Sequence, residues 1–433
     1  MSHQFIRSLI ASSVLFSVFN STTHAEFIDD SQVQLKFKNF YLQRDVSTPD
    51  ATKPLSRNFG SWSQSVVLDA KSGYADVGPF KLGVDVLAQY ALRLSDDKHM
   101  NDFVLPYDYA NQNQARDYGK VGVTLKAKIS QTELRVGDLQ PMTPVLFIDP
   151  SRQLLTTYSG AWLESKEIKN TKLTLAYVDG INSRYDNQYQ DFNIWPKEIG
   201  NYSKRVNPGN NHGIYLAGID YQISPDLTGS YYFADVTNLY YQNYLGFDFK
   251  KKLDDQNKVS AHLHLFDNRE SGDAIYGDFE NQALSIRGEW THGNHTIDLG
   301  WQQMFGEHGS GVPYFPSLSG WAPQPYLANW SVASFIRKDE KSWSVGYSYD
   351  FKGLGINGLT ATVRHLEGWD IDNLDGTRGK EAENDLVVKY TVPEGKLKGL
   401  GIQWMYIDVN YPSIPGFVDL EENRIATTYT FTF

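Results

Sequence analysis

The chain ends with the stretch RIATTYTFTF, residues 424–433, whose side chains alternate between two faces. One face is apolar and aromatic except for one threonine, and it consists of Ile425, Thr427, Tyr429, Phe431 and Phe433. Because successive side chains of a β-strand point to opposite sides, the stretch predicts a strand with one apolar face. A last strand that ends on an aromatic residue is typical of bacterial outer-membrane barrels. Phe433 is therefore predicted to carry the signal that the barrel assembly machinery recognises.

The same alternation recurs along the chain in strand-length segments. Apolar residues fill alternate positions over 343–351, 259–265 and 400–406. The polar face is rich in Ser, Thr, Gly and Gln, whereas a soluble sandwich would show Lys and Glu there. An apolar face toward lipid and a face of small polar residues toward a water-filled lumen are typical of a membrane-spanning barrel. We therefore predict an all-β protein that forms a transmembrane antiparallel β-barrel.

The N-terminal residues have the features of a cleaved secretory signal peptide. Arg7 precedes the apolar run LIASSVLFSVF at 9–19, and Ala25 supplies a small residue before the expected cut. The run is too short to span a bilayer. We predict a signal peptide at 1–25 and an outer-membrane β-barrel porin domain at 26–433. The expected location is the outer membrane of a Gram-negative-type bacterium, in contact with lipid and lipopolysaccharide.

The composition excludes several classes of protein. The 433 residues include 27 Tyr and no Cys, and the formal net charge is −11. Absence of Cys excludes disulfide scaffolds and thiolate chemistry, and the negative charge disfavours nucleic acid as a partner. Tyrosine is suited to surfaces where an apolar layer meets water, because its ring is apolar and its hydroxyl is polar.

The connections between segments predict the number of strands, because barrels alternate short turns with long loops. Short connections lie at 71–79, 130–132, 169–171, 224–226, 252–257, 291–295, 352–358 and 393–398. Long connections lie at 46–60, 95–116, 140–160, 180–212, 237–241, 267–281, 306–341, 367–384 and 409–423. These eight turns and nine loops join 18 strands. Segment 331–337 is not counted as a strand and is assigned to the seventh loop, because an odd number of strands would put the two chain ends on opposite sides of the membrane. A barrel of roughly 16–18 strands is wide enough for an aqueous channel.

Short sequence blocks spread over the chain carry a family resemblance. They include Phe27-Ile28-Asp29-Asp30-Ser31, Asn39-Phe40-Tyr41, Ser72-Gly73-Tyr74, Gly83-Val84-Asp85, Gly137-Asp138-Leu139-Gln140-Pro141 and Glu340-Lys341-Ser342-Trp343. In their order and spacing these blocks resemble the OprD family of outer-membrane porins, the substrate-specific carboxylate channels. The resemblance implies an 18-stranded diffusion channel, a monomer or weak trimer. Its solutes would be small and anionic, such as amino acids, organic or aromatic acids, or antibiotics.

Strand parity turns a series of basic side chains toward the predicted lumen. The residues predicted to form a basic track for the solute are Lys38, Arg44, Lys126, Lys128, Arg135, Arg287 and Arg364. A row of cations lowers the barrier for an anion and still leaves sites from which it can move on. The family resemblance implies this role for five of them, all except Arg135 and Arg287. On the penultimate strand, where the family often carries Arg, this chain has Gln403 and Met405. The alternative is that each base is neutralised by an inward acid such as Asp85, Glu133 or Asp298.

The third loop, 140–160, is unusually apolar for an external loop. It contains Val145, Leu146, Phe147, Ile148, Leu154 and Leu155 as well as three prolines. Exposed loops seldom carry so many apolar side chains, so we predict that this loop folds into the barrel and narrows the pore. Its polar residues Asp149, Ser151, Arg152 and Tyr158 are then candidates for the constriction. The alternative is an external loop packed against its neighbours, and loop 306–341 is a weaker candidate for the inward role.

Enzymatic and metal-dependent functions find little support in the sequence. It contains no G-x-S-x-G, H-E-x-x-H or P-loop motif, so no catalytic residue and no cofactor is predicted. His262 and His264 share one strand face, but no third ligand is near them in sequence, and no metal site is predicted. The remaining alternatives to a selective channel are a less selective general porin, a barrel enzyme of protease or lipase type, and an adhesin.

Overall fold

Long antiparallel strands dominate the described part of the chain. The structure is a computed structural model, and it describes residues 27–49, 57–96, 101–108, 111–194, 213–278, 280–307, 314–318 and 324–433. The main sheet of this part has 19 strands, of which one, Ala75–Val77, is a short piece in the first turn. The other 18 form the barrel, which confirms the predicted count. The predicted signal peptide at 1–25 lies outside the described residues.

The barrel strands follow one another in chain order. They are β1 (Gln32–Val46), β2 (Phe59–Lys71), β3 (Phe80–Arg93), β4 (Asp117–Ile129), β5 (Thr132–Leu139), β6 (Thr157–Ser165), β7 (Thr171–Asn182), β8 (Ile214–Ser224), β9 (Leu227–Val236), β10 (Tyr240–Lys252), β11 (Asn257–Glu270), β12 (Glu280–His292), β13 (His295–Phe305), β14 (Lys341–Asp350), β15 (Leu359–Asp372), β16 (Arg378–Thr391), β17 (Gly401–Asn410) and β18 (Leu420–Thr432). Within the described ranges no helix is long and apolar enough to cross a membrane.

The sheet closes on itself through its first and last strands. Each strand pairs antiparallel with the next, and β1 pairs with β18 from Gln34 opposite Thr432 to Val46 opposite Leu420. The amide of Phe433 donates to the carbonyl oxygen of Val33 at 2.9 Å and extends this pairing to the last residue. Closure satisfies the backbone groups of every strand without water, as the hydrocarbon layer of a membrane requires.

Side chains alternate between the outside and the inside of the barrel, as the sequence predicts. On β4 the outward residues Val121, Val123 and Leu125 are exposed, whereas the inward Lys120 and Lys126 are buried. In the membrane the exposed apolar face meets lipid. Residues that pair across neighbouring strands point to the same side of the sheet. The inward Lys126 lies opposite Gly83 on β3 and Arg135 on β5.

Two long loops pack against the inward faces of the strands. Loop 3 (140–156) and loop 7 (306–340) contribute buried apolar residues to clusters with inward wall residues. Leu154 joins Phe40 and Leu42, while Phe335 joins Leu366 and Ile407. Segment 331–337 forms no strand of the barrel sheet and lies in loop 7, as predicted. These apolar contacts place both loops next to the lumen wall.

Candidate solute pathway

Loop 3 is held to the inner wall of β1, β2 and β3 by polar contacts. The ammonium of Lys38 donates to the carbonyl oxygens of Pro150, at 3.0 Å, and Arg152, at 2.5 Å. The Gln153 amide donates to Ser63 Oγ at 2.8 Å. These contacts engage inward side chains of the strands, because Lys38 and Ser63 share the inward parity described above.

A buried ion pair joins loop 3 to the fourth loop. The guanidinium of Arg184 contacts the Asp149 carboxylate and also donates to Ser151 Oγ at 2.7 Å. Arg184 and Asp149 are only 0% and 3% exposed. Burial acts to raise the pKa of Asp149, but the Arg184 charge, the Ser151 hydrogen bonds and the Arg152 charge together hold that pKa below its usual value. Asp149 therefore acts as a charged anchor between the two loops.

The other predicted constriction residues are also buried. Tyr158 is 1% exposed, and its hydroxyl donates to the carbonyl oxygen of Phe147 at 3.0 Å. Arg152 lies close to the Arg424 and Glu422 side chains of β18. Burial and the charges of Arg424 and Arg184 lower the pKa of Arg152, and the attraction of Glu422 and Asp149 offsets part of this effect. Tyr158 lies in β6 and not, as predicted, in the loop, and its hydroxyl ties that strand to loop 3. Arg152 adds to a group of arginines at the wall.

The seven bases of the predicted track fall into two groups. Four of them contact carboxylates: Arg44 with Glu422 at 2.6 Å, Lys126 with Asp85 at 2.7 Å, Arg135 with Glu164 at 3.2 Å, and Arg287 with Asp298 at 2.5 Å. Arg135 also lies 3.5 Å from Glu133. The alternative considered from the sequence, neutralisation by inward acids, therefore holds for these four positions.

The remaining three bases form no ion pair with the carboxylates of the described residues. Lys38 donates to the two loop carbonyls, and Arg364 donates to the carbonyl oxygen of Ala328 at 2.6 Å. Lys128 has no side-chain partner in the described part of the chain. Lys38 and Arg364 thus meet main-chain carbonyl dipoles rather than a contacting carboxylate.

Three cations meet at one cavity beside loop 3. This cavity of about 410 Å³ is lined by Lys38 of β1, Lys389 of β16 and Arg424 of β18. Gln403 and Met405, where the family resemblance implied arginine, lie on its wall between β16 and β18. Lys389 and Arg424 are not among the residues predicted from the sequence for the track. Both residues occupy inward positions in the alternation of their strands, and this pattern in the sequence could have identified them.

Loop 7 is held by carboxylates of β16. Glu383 accepts the backbone N–H groups of Val332, at 3.3 Å, and Ala333, at 2.5 Å. Glu381 accepts that of Phe335 at 2.5 Å. Burial and the nearby charge of Glu381 raise the pKa of Glu340, the last residue of this loop, well above its usual value.

Loop 7 also contacts loop 3 directly. The amide of Gln324 donates to the carbonyl oxygen of Pro144 at 2.8 Å. The two loops therefore form one connected set of contacts beside the inner wall.

Comparison with known proteins identifies the family. The sequence profile described as "outer membrane porin, OprD family" matches residues 25–433. The chain belongs to the OprD family. Porin-like protein GalP of Pseudomonas putida is 29% identical over 408 residues, which cover 93% of this chain and 92% of GalP. The resemblance drawn from the sequence blocks is thus confirmed.

Solved structures of two Pseudomonas aeruginosa proteins share the fold. OccK9 (OpdG) of Pseudomonas aeruginosa has a TM-score of 0.85 and 29% identity, covering 94% of this chain and all of OccK9. OpdK of the same organism, in a structure with vanillate, has a TM-score of 0.82 and 26% identity over 94% of this chain and all of OpdK. This OprD-family protein is accordingly an outer-membrane channel for small solutes in a Gram-negative bacterium. Its relatives are porins and channels, so a barrel enzyme is not favoured.

Proposed function

We propose that this channel conducts small carboxylate-containing solutes past the cavity lined by Lys38, Lys389 and Arg424. The observation that carries the proposal is the convergence of these three cations on one lumen cavity of about 410 Å³. Arg424 is ion-paired with Glu422, whereas neither Lys38 nor Lys389 is ion-paired to a described carboxylate. Vanillate, present in the OpdK structure, is a small aromatic carboxylate of the proposed solute class.

The mechanism rests on local electrostatic potential. A low-dielectric wall focuses the field of its unpaired cations into the lumen, which raises the local concentration of anions. Water and salt screen each charge over roughly 8 Å, so an anion can leave one site for the next. Arg44, Lys126, Arg135 and Arg287 contribute less to this field than the sequence alone implied, because carboxylates contact them. Lys38, Lys128 and Arg364 remain the stronger members of the predicted track.

Loop 3 is proposed to set the width of this pathway. In support, Pro150 and Ser151 of the loop line the same cavity as the three cations. Hydrogen bonds from Lys38 and Gln153 tie the loop to the wall, and Asp149 ties it to the fourth loop. A solute in the cavity would therefore contact the loop on one side and the basic wall on the other.

Reversal potentials in planar bilayers test the carboxylate proposal. We expect Lys38→Gln and Lys389→Gln to reduce anion selectivity in a salt gradient and to slow benzoate uptake into liposomes several-fold, with little effect on a neutral sugar. The matched control is Lys396→Gln, which removes a lysine from the exposed turn after β16. Equal slowing of both solutes, or unchanged selectivity, would contradict the proposal and favour a general porin.

The assembly partners are also part of this proposal. The Phe433 side chain is 74% exposed on the outward face, where lipid or lipopolysaccharide would contact it. An aromatic end that stays accessible is suited to recognition by the barrel assembly machinery before the barrel closes. We further propose export by a cleaved signal peptide at 1–25 and a monomeric or weakly trimeric channel.

A further inference from the structure

Three metal-binding side chains meet on the inner wall of β10 and β11. Asp248 lies opposite His262 in the register of these strands, and His264 follows two residues later on the same face. His262 Nδ1 is hydrogen-bonded to Asp248 Oδ1, and His264 Nε2 lies 3.4 Å from the same oxygen. One potential ligand atom from each residue falls within 4.8 Å of the others, and no other described group has this property. Asp248 is a third potential ligand, distant in sequence from the two histidines.

The imidazole of His264 is already oriented for a metal. Its Nδ1 lies 2.8 Å from the carbonyl oxygen of Tyr326 in loop 7. A carbonyl oxygen can only accept, so Nδ1 carries a proton, and Nε2, which faces Asp248, is the atom that a metal would bind after losing any proton it carries. A backbone carbonyl bonded to the second ring nitrogen is the usual support of a metal-ligating histidine. The rings of Tyr244 and Tyr326, with centroids 5.5 and 5.6 Å away, fix the imidazole further.

The geometry points to a binding site for a divalent late transition metal ion, such as Zn²⁺, held by Asp248, His262 and His264. Two imidazoles and one carboxylate are a known three-residue donor set for zinc, with the fourth position left to water. Bonds of about 2.0–2.1 Å in a tetrahedron separate ligand atoms by roughly 3.3 Å. The pair of His264 Nε2 and Asp248 Oδ1 is already at 3.4 Å. His262 needs only to shift its proton to Nε2 and move slightly away from the carboxylate.

An ion can reach this site from the lumen. The side chains of Asp248 and His262 are 30% and 19% exposed, on the inward face of the barrel. Tyr244 and Tyr326, which pack on His264, also line a cavity of about 720 Å³ that extends to the turn at 166–171. The site is separate from the cations beside loop 3, so it does not depend on the carboxylate proposal.

Cobalt binding to the purified, chelator-treated barrel tests the site, because Co²⁺ replaces Zn²⁺ and absorbs visible light. We expect one Co²⁺ per chain, a ligand-field absorption band, and loss of that band when Zn²⁺ is added. His264→Gln and Asp248→Asn should each weaken Co²⁺ binding at least about tenfold, since even supporting residues of metal sites are worth ~10–100-fold in affinity. Asp248→Asn is nearly isosteric, and heat-modifiable gel mobility verifies that each variant is folded.

Two other histidine variants serve as controls. His365→Gln removes a half-buried histidine on β15 whose Nδ1 bonds the Asn384 side chain at 2.8 Å, and it should leave Co²⁺ binding unchanged. His292 and His295 face each other across β12 and β13 and form a competing pair. The proposal is overturned if the folded wild type shows no saturable Co²⁺ binding. It is equally overturned if His292→Gln abolishes the band while His264→Gln keeps it.

Discussion

At the scale of single residues, the buried pair of Asp149 and Arg184 is the most informative contact. Removing one partner of a buried ion pair costs about 3–5 kcal/mol, because the other charge stays buried. We expect Asp149→Asn to loosen the third and fourth loops while the barrel itself stays folded. Hydrogen exchange of the amides at 140–156 should then be faster than in the wild type.

The pH dependence of this protection follows from the lowered pKa of Asp149. A carboxylate whose pKa is lowered in the folded state stabilises it above the unfolded value of about 3.9, and this contribution is lost as the pH falls through the folded pKa. Loop protection in the wild type should therefore persist from neutral pH down to about pH 4. The control is Asp375→Asn in an exposed loop, whose amide exchange at 140–156 should match that of the wild type. Similar exchange in Asp149→Asn and the wild type would show that the pair does not anchor the loops.

At the scale of elements, loop 3 occupies space beside the inner wall. We expect deletion of residues 147–155 to raise the single-channel conductance markedly, because the deletion removes the segment that Lys38 and Ser63 of the wall bind. Deletion of residues 374–376, from the exposed loop between β15 and β16, is a control of the same kind and should leave conductance unchanged. An unaltered conductance in a folded 147–155 deletion would place loop 3 outside the pathway.

The elements that could be predicted from sequence are those with a local pattern. Alternation within each strand gave the inward and outward faces, and the positions of turns gave the count of 18 strands. The ion pairs could not be assigned this way, because Arg44 and Glu422 meet only through closure of the barrel. Asp248 was missed for a different reason. A hairpin that turns near Asp255 places Asp248 opposite His262, so the two meet through strand pairing and not through their spacing along the chain.

At the scale of the whole molecule, the closed sheet determines how the protein behaves in detergent. Pairing of β1 with β18 leaves no free strand edge, so unfolding has to break a continuous ring of backbone hydrogen bonds. We expect a β-type circular dichroism spectrum and a gel mobility that changes only after heating. The unheated sample serves as the reference for the heated one. A helical spectrum, or identical mobility before and after heating, would contradict the closed barrel.

The wall holds loops 3 and 7 mainly by their main chain. Lys38 binds the carbonyls of Pro150 and Arg152, while Glu381 and Glu383 accept amides of loop 7. Main-chain groups are present whatever the side chain, so these bonds tolerate substitution in the loops as long as the buried apolar positions stay filled and the pair of Asp149 and Arg184 is kept. Mutations there can accumulate over generations without detaching the loops. Related channels could thus change their solute specificity during evolution while keeping the same barrel.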